Sequence, residues 1–169
     1  PGSLAAGNAQ LMIAKLKKEE EDGADEAIGA LRTFLETYTD HPQRDQALFM
    51  MAGIYIEQGK PDEAKPHLET LINELPDSTL VGFAKLYQGD FAFAEGNKEE
   101  AEQIYNSVLT DFTGTPAELA GERLNMAKID KPVTVAPKPI PEPEAPKEDT
   151  SAIPSEILRP EGTTGTEGD

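Results

Sequence analysis

A repeat of 37 residues constrains the fold of this chain more strongly than any other feature of its sequence. Ala27, Ala64 and Ala101 lie 37 residues apart, and apolar residues follow each alanine after four, seven, eight and eleven positions. These apolar residues are Leu31, Leu68, Tyr105, Phe34, Leu71, Val108, Leu35, Ile72, Leu109, Tyr38, Leu75 and Phe112. Such spacing forms one stripe along an α-helix. The repeat therefore predicts three stacked units, each with one striped helix.

A second, more apolar helix precedes each striped helix. We call this first helix of a unit the inner helix and the striped helix the outer helix. Residues 47–56 carry no charged side chain, and residues 80–94 are interrupted only by Lys85, Gln88 and Asp90. A helix that is apolar nearly all round must be covered on more than one side. Small residues recur where neighbouring helices would approach closely, at Ala47, Ala84, Ala52 and Gly89.

Glycines and caps mark the predicted turns. An inner helix ends at each of three glycines, which favour a left-handed C-cap: Gly23, Gly59 and Gly96. The first unit fits the others with a shift of one residue, and we place its extra residue in the turn at 19–23. Asn97 and Glu100 have the spacing of a capping box.

The final helix is predicted to close the stack. Thr115, Pro116 and Glu118 have the pattern of a capping box and predict a helix over about 117–129. Its polar face, with Glu122, Asn125 and Lys128, is typical of a terminal cap. Pro66 conflicts with the predicted helix that contains it. A proline within a striped helix must lie in the first turn of that helix or kink the helix.

Composition divides the chain near residue 130. All ten aromatic residues precede that point, whereas the last 39 residues hold eight of the fourteen prolines. A proline-rich segment without aromatics cannot offset its ordering entropy. We therefore predict a helical repeat domain at 4–130 and a disordered, acidic, proline-rich tail at 131–169. Residues 1–3, Pro-Gly-Ser, are typical of a cloning scar.

Charge excludes several classes of partner. The chain has 32 acidic and 15 basic residues and a net charge of -17, which opposes binding to nucleic acids and to anionic membrane surfaces. It has no cysteine, and it has no apolar run of the length that spans a bilayer. We expect no nucleic-acid partner and no direct membrane insertion by these residues.

Few residues are suited to catalysis or to holding a cofactor. The chain has two histidines, one in a turn, His41, and one beside a proline, His67. The acidic run at 19–22 could attract a cation, but we interpret it as a solvated turn. No calcium-binding loop, phosphate-binding glycine loop or nucleophile elbow is present in the sequence. We predict no catalytic residue, no metal site, no cofactor and no enzymatic activity.

These helix pairs resemble the tetratricopeptide repeat family. The residues that fit its pattern are Leu48, Met51, Ala52, Tyr55, Ala64, Leu68, Leu71 and Pro76, and in the third unit Gly89, Ala101, Tyr105 and Val108. Lys85 and Gln88 stand where the family usually has apolar residues, and the unit is longer than the common 34. The resemblance implies an all-α, right-handed solenoid of three helix hairpins plus a C-terminal capping helix.

The resemblance also implies a partner-binding groove. Inner helices line the concave face in this family, which would place there Phe49, Gly53, Ile56, Phe83, Leu86, Asp90, Phe93 and Arg123, with Asn8, Leu11, Lys15, Gln46 and Ala127 alongside. The implied function is a scaffold or adaptor that binds a peptide or helix. The acidic body favours a neutral or basic, partly apolar partner. Two alternatives remain: these residues form core, or they mediate assembly between copies of the chain.

The longer repeat unit and the segment 38–42 are similar to those of bacterial cell-envelope members of the family. This similarity implies a periplasmic location, with an anchor in a segment preceding Leu4; a cytoplasmic location is the alternative. In the tail, residues 153–159 form the one distal cluster of bulky apolar side chains. They are a candidate docking motif, one that could occupy the domain's own groove, whereas the remaining tail resembles a spacer.

Overall fold

The structure is a computed structural model and describes residues 3–128. The predicted disordered tail at 131–169, its candidate docking motif and the first two residues of the predicted cloning scar lie outside the described residues. Ser3, the last residue of that predicted scar, caps the first helix: its Oγ accepts a hydrogen bond from the backbone N–H of Ala6 at 3.2 Å.

Seven helices and no strands make up the described part of the chain. The helices are α1 (Leu4–Glu19), α2 (Ala24–Thr37), α3 (Arg44–Glu57), α4 (Pro61–Glu74), α5 (Val81–Ala94), α6 (Lys98–Asp111) and α7 (Thr115–Lys128). Successive pairs pack as hairpins, α1 with α2, α3 with α4 and α5 with α6, and α7 packs on the last of them. The predicted three hairpins and capping helix are confirmed.

The repeated stripe forms the core of the stack. Three stripe positions are almost completely buried in all three units: the alanine and the residues four and seven positions after it, nine residues in total. The later two positions are half-buried, except Leu109 in α6, which is exposed. Each outer helix therefore buries one edge of its stripe and leaves the other near its surface. Close helix packing at the predicted small residues is confirmed, because Ala47, Ala52, Ala84 and Gly89 are all buried.

Two of the three glycines end an inner helix as predicted. Gly59 and Gly96 have φ angles of 70° and 87°, and a backbone bond from the next residue's N–H closes each cap, at 2.8 Å in both cases. The prediction is wrong for Gly23, whose φ is -83°. A Cβ there would lie 1.8 Å from the carbonyl oxygen of Lys17, so close approach of the chain requires this glycine.

Turn lengths explain the shift of the first unit. Four residues, 20–23, connect α1 to α2, whereas three residues connect each of the other two hairpins. The extra residue thus lies in the turn where the sequence placed it.

Two local predictions need correction, and the position of Pro66 is decided. Asn97 precedes α6, but its side chain makes no capping hydrogen bond, so the predicted capping box with Glu100 is wrong. The final helix begins at Thr115, two residues before the predicted start. Pro66 is the sixth residue of α4, on its exposed face, which excludes the first of the two predicted alternatives, a place in the first turn.

Candidate partner-binding surface

Aromatic rings join the inner helices α3 and α5. Phe49 of α3 lies between two rings of α5, with its centroid 6.4 Å from that of Phe83 and 6.0 Å from that of Tyr87. The ring of Tyr87 lies 6.4 Å from that of Phe91, one turn further along α5. We call these four side chains the aromatic row. Such contacts hold the two hairpins together beyond the area that they bury.

One end of the aromatic row remains accessible. Phe49 and Phe83 are half-buried, whereas Tyr87 and Phe91 are buried. On α3, Gly53 and Ile56 follow Phe49 at spacings of four and three residues, so the three share one helix face. Both are half-buried, and no atom lies within 4 Å of the position that a Cβ on Gly53 would take. We call Phe49, Gly53, Ile56 and Phe83 the α3–α5 surface.

The other predicted apolar groove residues lie in the core. Leu86 is 0% exposed and Phe93 is 9% exposed, and both belong to a hydrophobic cluster with residues of α6 and α7. Leu11 and Ala127, expected alongside the groove, are also buried. The reason is that α5 is enclosed by α4, α6 and α7, which leaves less of its surface open than a mid-solenoid inner helix would have.

Asp90 and Arg123 form a buried network instead of a polar groove wall. The Asp90 Oδ1 atom accepts a hydrogen bond from the Nε–H of Arg123 at 2.6 Å and another from the hydroxyl of Tyr105 at 2.9 Å. The side chain of Asp90 is 4% exposed and that of Arg123 16%. Burial, and then the neighbouring carboxylate of Asp90, raises the pKa of Tyr105 well above its usual value. This network connects three helices, α5, α6 and α7.

Comparison with known proteins agrees with this geometry. The model of the tetratricopeptide repeat-like domain matches residues 1–130 of the chain. The chain belongs to the tetratricopeptide repeat-like domain family. Domains of this kind are generally protein-interaction modules and are generally non-catalytic. No curated protein matches the chain.

Two residues next to the surface of this tetratricopeptide repeat-like domain were missing from the sequence prediction. Tyr87 and Phe91 continue the spacing of Phe83 along α5, at four and eight residues, and that periodicity was the available signal. Burial, and then the carboxylate of Asp90, raises the pKa of Tyr87 to about 12. The ammonium group of Lys65 lies 5.9 Å from the centre of the Phe91 ring.

The two histidines have structural surroundings. The Nδ1 atom of His41 accepts a hydrogen bond from the backbone N–H of Gln43, so its Nε2–H faces the carbonyl oxygen of Leu4 at 3.3 Å. His41 thus ties the start of α1 to the turn before α3. His67 stacks on Tyr55 with ring centroids 5.8 Å apart, and burial lowers its pKa.

The residues of the acidic run at 19–22 are exposed, and the carboxylate of Glu20 pairs with the ammonium group of Lys17 at 3.0 Å. Within residues 3–128, no cluster of three or more acidic, histidine or cysteine side chains has the arrangement of a metal site. No helix in that same range is both long enough and apolar enough to cross a bilayer.

Proposed function

We propose that this tetratricopeptide repeat-like domain is a non-enzymatic scaffold that binds a peptide or helix of a partner protein on the α3–α5 surface. One observation carries the proposal: Phe49 and Phe83 contact each other across two hairpins while each keeps part of its ring accessible, beside the open position at Gly53. Half-exposed aromatic side chains on adjacent helices are the type of anchor point that recognition surfaces use.

The size of the α3–α5 surface limits the affinity that it can provide. Full burial of a large apolar side chain contributes roughly 1.5–3 kcal/mol, and Phe49, Ile56 and Phe83 are already half-buried. Their remaining contribution, roughly 2–5 kcal/mol, falls short of the roughly 8 kcal/mol of a micromolar complex. Polar contacts beside the surface must supply the difference, and the half-buried Gln46, one turn before Phe49 on α3, is a candidate.

Charge favours a particular class of partner. Residues 1–130 contain 24 acidic and 11 basic side chains, a net charge of -13. Long-range electrostatic attraction therefore speeds the approach of a basic segment, repulsion slows that of an acidic one, and a neutral segment is little affected. We propose a neutral or basic, partly apolar segment as the occupant of the α3–α5 surface.

A bulk-adding substitution tests this proposal without removing any core side chain. Peptides selected from a displayed library on the immobilised chain would be titrated by calorimetry against the wild type and Gly53→Gln. Because no atom lies within 4 Å of the Cβ position, a side chain can start there without a clash, and its added bulk lies beside Phe49 and Ile56 on the same helix face. We expect Gly53→Gln to weaken the selected peptides by about ten-fold or more.

Gly29→Gln is the matched control. Gly29 is also a helical glycine with no atom within 4 Å of its Cβ position, but it lies on α2. The Gly29→Gln variant should bind the selected peptides like the wild type. Equal affinities for the two variants would show that the α3–α5 surface is not the binding site.

We further propose a bacterial cell-envelope location on the periplasmic side. The proposal is supported by the long repeat unit and the 38–42 segment, whose similarity to envelope members of the family is described above. An alkaline phosphatase reporter fused to the C-terminus of the complete protein tests it: activity in intact cells is expected, and a reporter active only after lysis would favour the cytoplasm.

A further inference from the structure

The first helix exposes an apolar stripe on the side opposite its core face. Buried residues of α1 are Gly7, Leu11 and Ala14. On the other side, exposed residues recur at spacings of four, three, one and three along the helix, at Ala5, Ala9, Met12, Ile13 and Leu16. Met12, Ile13 and Leu16 are 58%, 47% and 56% exposed. We call these five residues the α1 stripe; it holds three of the six large apolar side chains exposed within residues 3–128.

The repeat shows what covers such a stripe elsewhere in the domain. With the shift of the first unit, the last four residues of the α1 stripe correspond to Ala47, Met50, Met51 and Ile54 of α3. All four of these α3 residues are buried, in one hydrophobic cluster with residues of α1 and α2. The next hairpin repeats the arrangement, because Ala84, Tyr87 and Phe91 of α5 are buried beside α4. At each junction, the stripe of an inner helix is covered by the outer helix that precedes it.

The outer helices that do this covering share one charge property. Helix α2 has three acidic residues and one basic residue, and α4 and α6 each have four acidic residues and one lysine. In contrast, α1 has three lysines and one glutamate, and it is the one described helix with a net positive charge. Lys15 and Lys17 lie one turn after Met12 and Ile13, so they flank the α1 stripe on its two sides. The ammonium group of Lys17 already pairs with the carboxylates of Glu26 at 2.8 Å and Glu20 at 3.0 Å, so Lys15 is the flanking lysine that a partner's carboxylate would meet.

We propose that the α1 stripe is a second docking surface, separate from the α3–α5 surface, and that it binds an acidic amphipathic helix of a partner protein. The net charge of the domain slows the approach of such a helix, so its affinity would come from the contacts with α1 itself. The partner helix would lie on α1 as α2 lies on α3, extending the solenoid by one outer helix. Its apolar residues would cover Met12, Ile13 and Leu16, and a carboxylate of the partner would face Lys15. This inference does not depend on the α3–α5 surface, and each can fail without the other.

The chain itself supplies a suitable probe. A blocked synthetic peptide of residues 24–37 has the sequence of α2 and therefore the apolar spacing and acidity that cover the equivalent stripe of α3. The peptide would be titrated into the isotopically labelled full chain, with the binding site mapped by amide chemical shifts. We expect saturable shifts centred on Met12, Ile13 and Leu16.

Variants separate the α1 stripe from other exposed apolar residues. Met12→Ser with Leu16→Ser should weaken peptide binding by about ten-fold. The matched control is Met126→Ser in α7, another exposed methionine, at 48% against 58% for Met12, and this variant should bind like the wild type. All replaced side chains are exposed, and circular dichroism would verify that each variant keeps its helical content.

The charge component has its own control. A peptide with Asp25→Asn, Glu26→Gln and Glu36→Gln keeps the apolar residues and loses the negative charge. It should bind several-fold more weakly than the acidic peptide, and the difference should diminish at high salt because screening suppresses exposed charge pairs.

Four results would overturn the proposal. The first is a set of shifts confined to α3, which would mean that the peptide replaces α2. The second is peptide binding that the double serine variant does not change. The third is a wild-type dimer in sedimentation equilibrium that the double variant abolishes, because a second copy would then cover the α1 stripe. The fourth is co-sedimentation of the chain with anionic vesicles that the same variant abolishes, because a lipid surface would then be the occupant.

Discussion

Glycines in this domain divide into those that close packing requires and those that it does not. A Cβ on Gly89 would lie 2.4 Å from the Cε1 atom of Tyr105, whereas Cβ atoms on Gly29 and Gly53 would meet nothing within 4 Å. All three are in helices, where glycine is less favourable than alanine by roughly 0.5–1 kcal/mol. The effect of an alanine is therefore set by the space around each residue.

We expect Gly29→Ala and Gly53→Ala each to raise the free energy of unfolding by roughly 0.5–1 kcal/mol. Gly89→Ala should lower it by about 1–3 kcal/mol, because the buried ring of Tyr105 must shift within a packed core. Urea denaturation of the three variants checks this ordering. A neutral or stabilising Gly89→Ala would mean that α5 and α6 are further apart than described.

Tyr87 makes the domain sensitive to alkaline pH. Its pKa of about 12 in the folded protein is above the ordinary value of 10.0, so the neutral phenol stabilises the fold fully below pH 10 and that stability is lost as the pH rises towards 12. At pH 11 the loss from this one group is roughly 1 kcal/mol. Tyr105, whose pKa is also raised, adds to the effect in the same direction.

We expect Tyr87→Phe to reduce the drop in unfolding free energy between pH 8 and pH 11 by roughly 1 kcal/mol. Denaturation curves of both proteins at the two pH values provide the measurement, with the pH 8 values serving as the control for packing. An identical drop in the two proteins would contradict the burial of this phenol.

At the scale of elements, the Asp90 network attaches the capping helix to the rest of the domain. Removing one partner of a buried ion pair leaves the other charge uncompensated, at a cost of about 3 kcal/mol or more. We expect Asp90→Ala to lower the unfolding free energy by about that amount and to speed amide exchange in α7 more than in α2. Denaturation and hydrogen exchange measure the two effects.

An exposed pair provides the comparison. Lys18 and Glu57 lie 3.3 Å apart, and their side chains are 37% and 58% exposed. Glu57→Ala should therefore change stability by less than about 1 kcal/mol. If Asp90→Ala proves as mild as Glu57→Ala, the network is not what holds α7.

Much of the element arrangement could be predicted, because the repeat reports burial directly. Every repeated residue at the first three stripe positions is buried. Local chemistry was predicted less well. Gly23 and Asn97 are residue types that often cap helices. The glycine at position 23 is instead required by the close approach of the Lys17 carbonyl, and the Asn97 side chain makes no capping hydrogen bond. Sequence spacing identifies a turn without specifying which atoms meet in it.

At the scale of the whole molecule, each hairpin contacts mainly its neighbours, as in other solenoids. This explains why four of the eight predicted groove residues are accessible apolar-face positions and the other four lie in the core or in the Asp90 network. Phe49, Gly53, Ile56 and Phe83 remain accessible between hairpins, whereas Leu86 and Phe93 lie where α6 and α7 close the stack. The mapping of inner-helix residues to a concave face assumes an interior repeat, and α5 is next to the cap.

The central claim is that the α3–α5 surface is the site of partner binding. The most direct measurement is the set of amide signals of the labelled full chain that shift when a library-selected peptide is added to saturation. We expect the largest shifts at Phe49, Gly53 and Phe83, with those of Leu109 unchanged. Shifts that leave these three residues unaffected would contradict the claim.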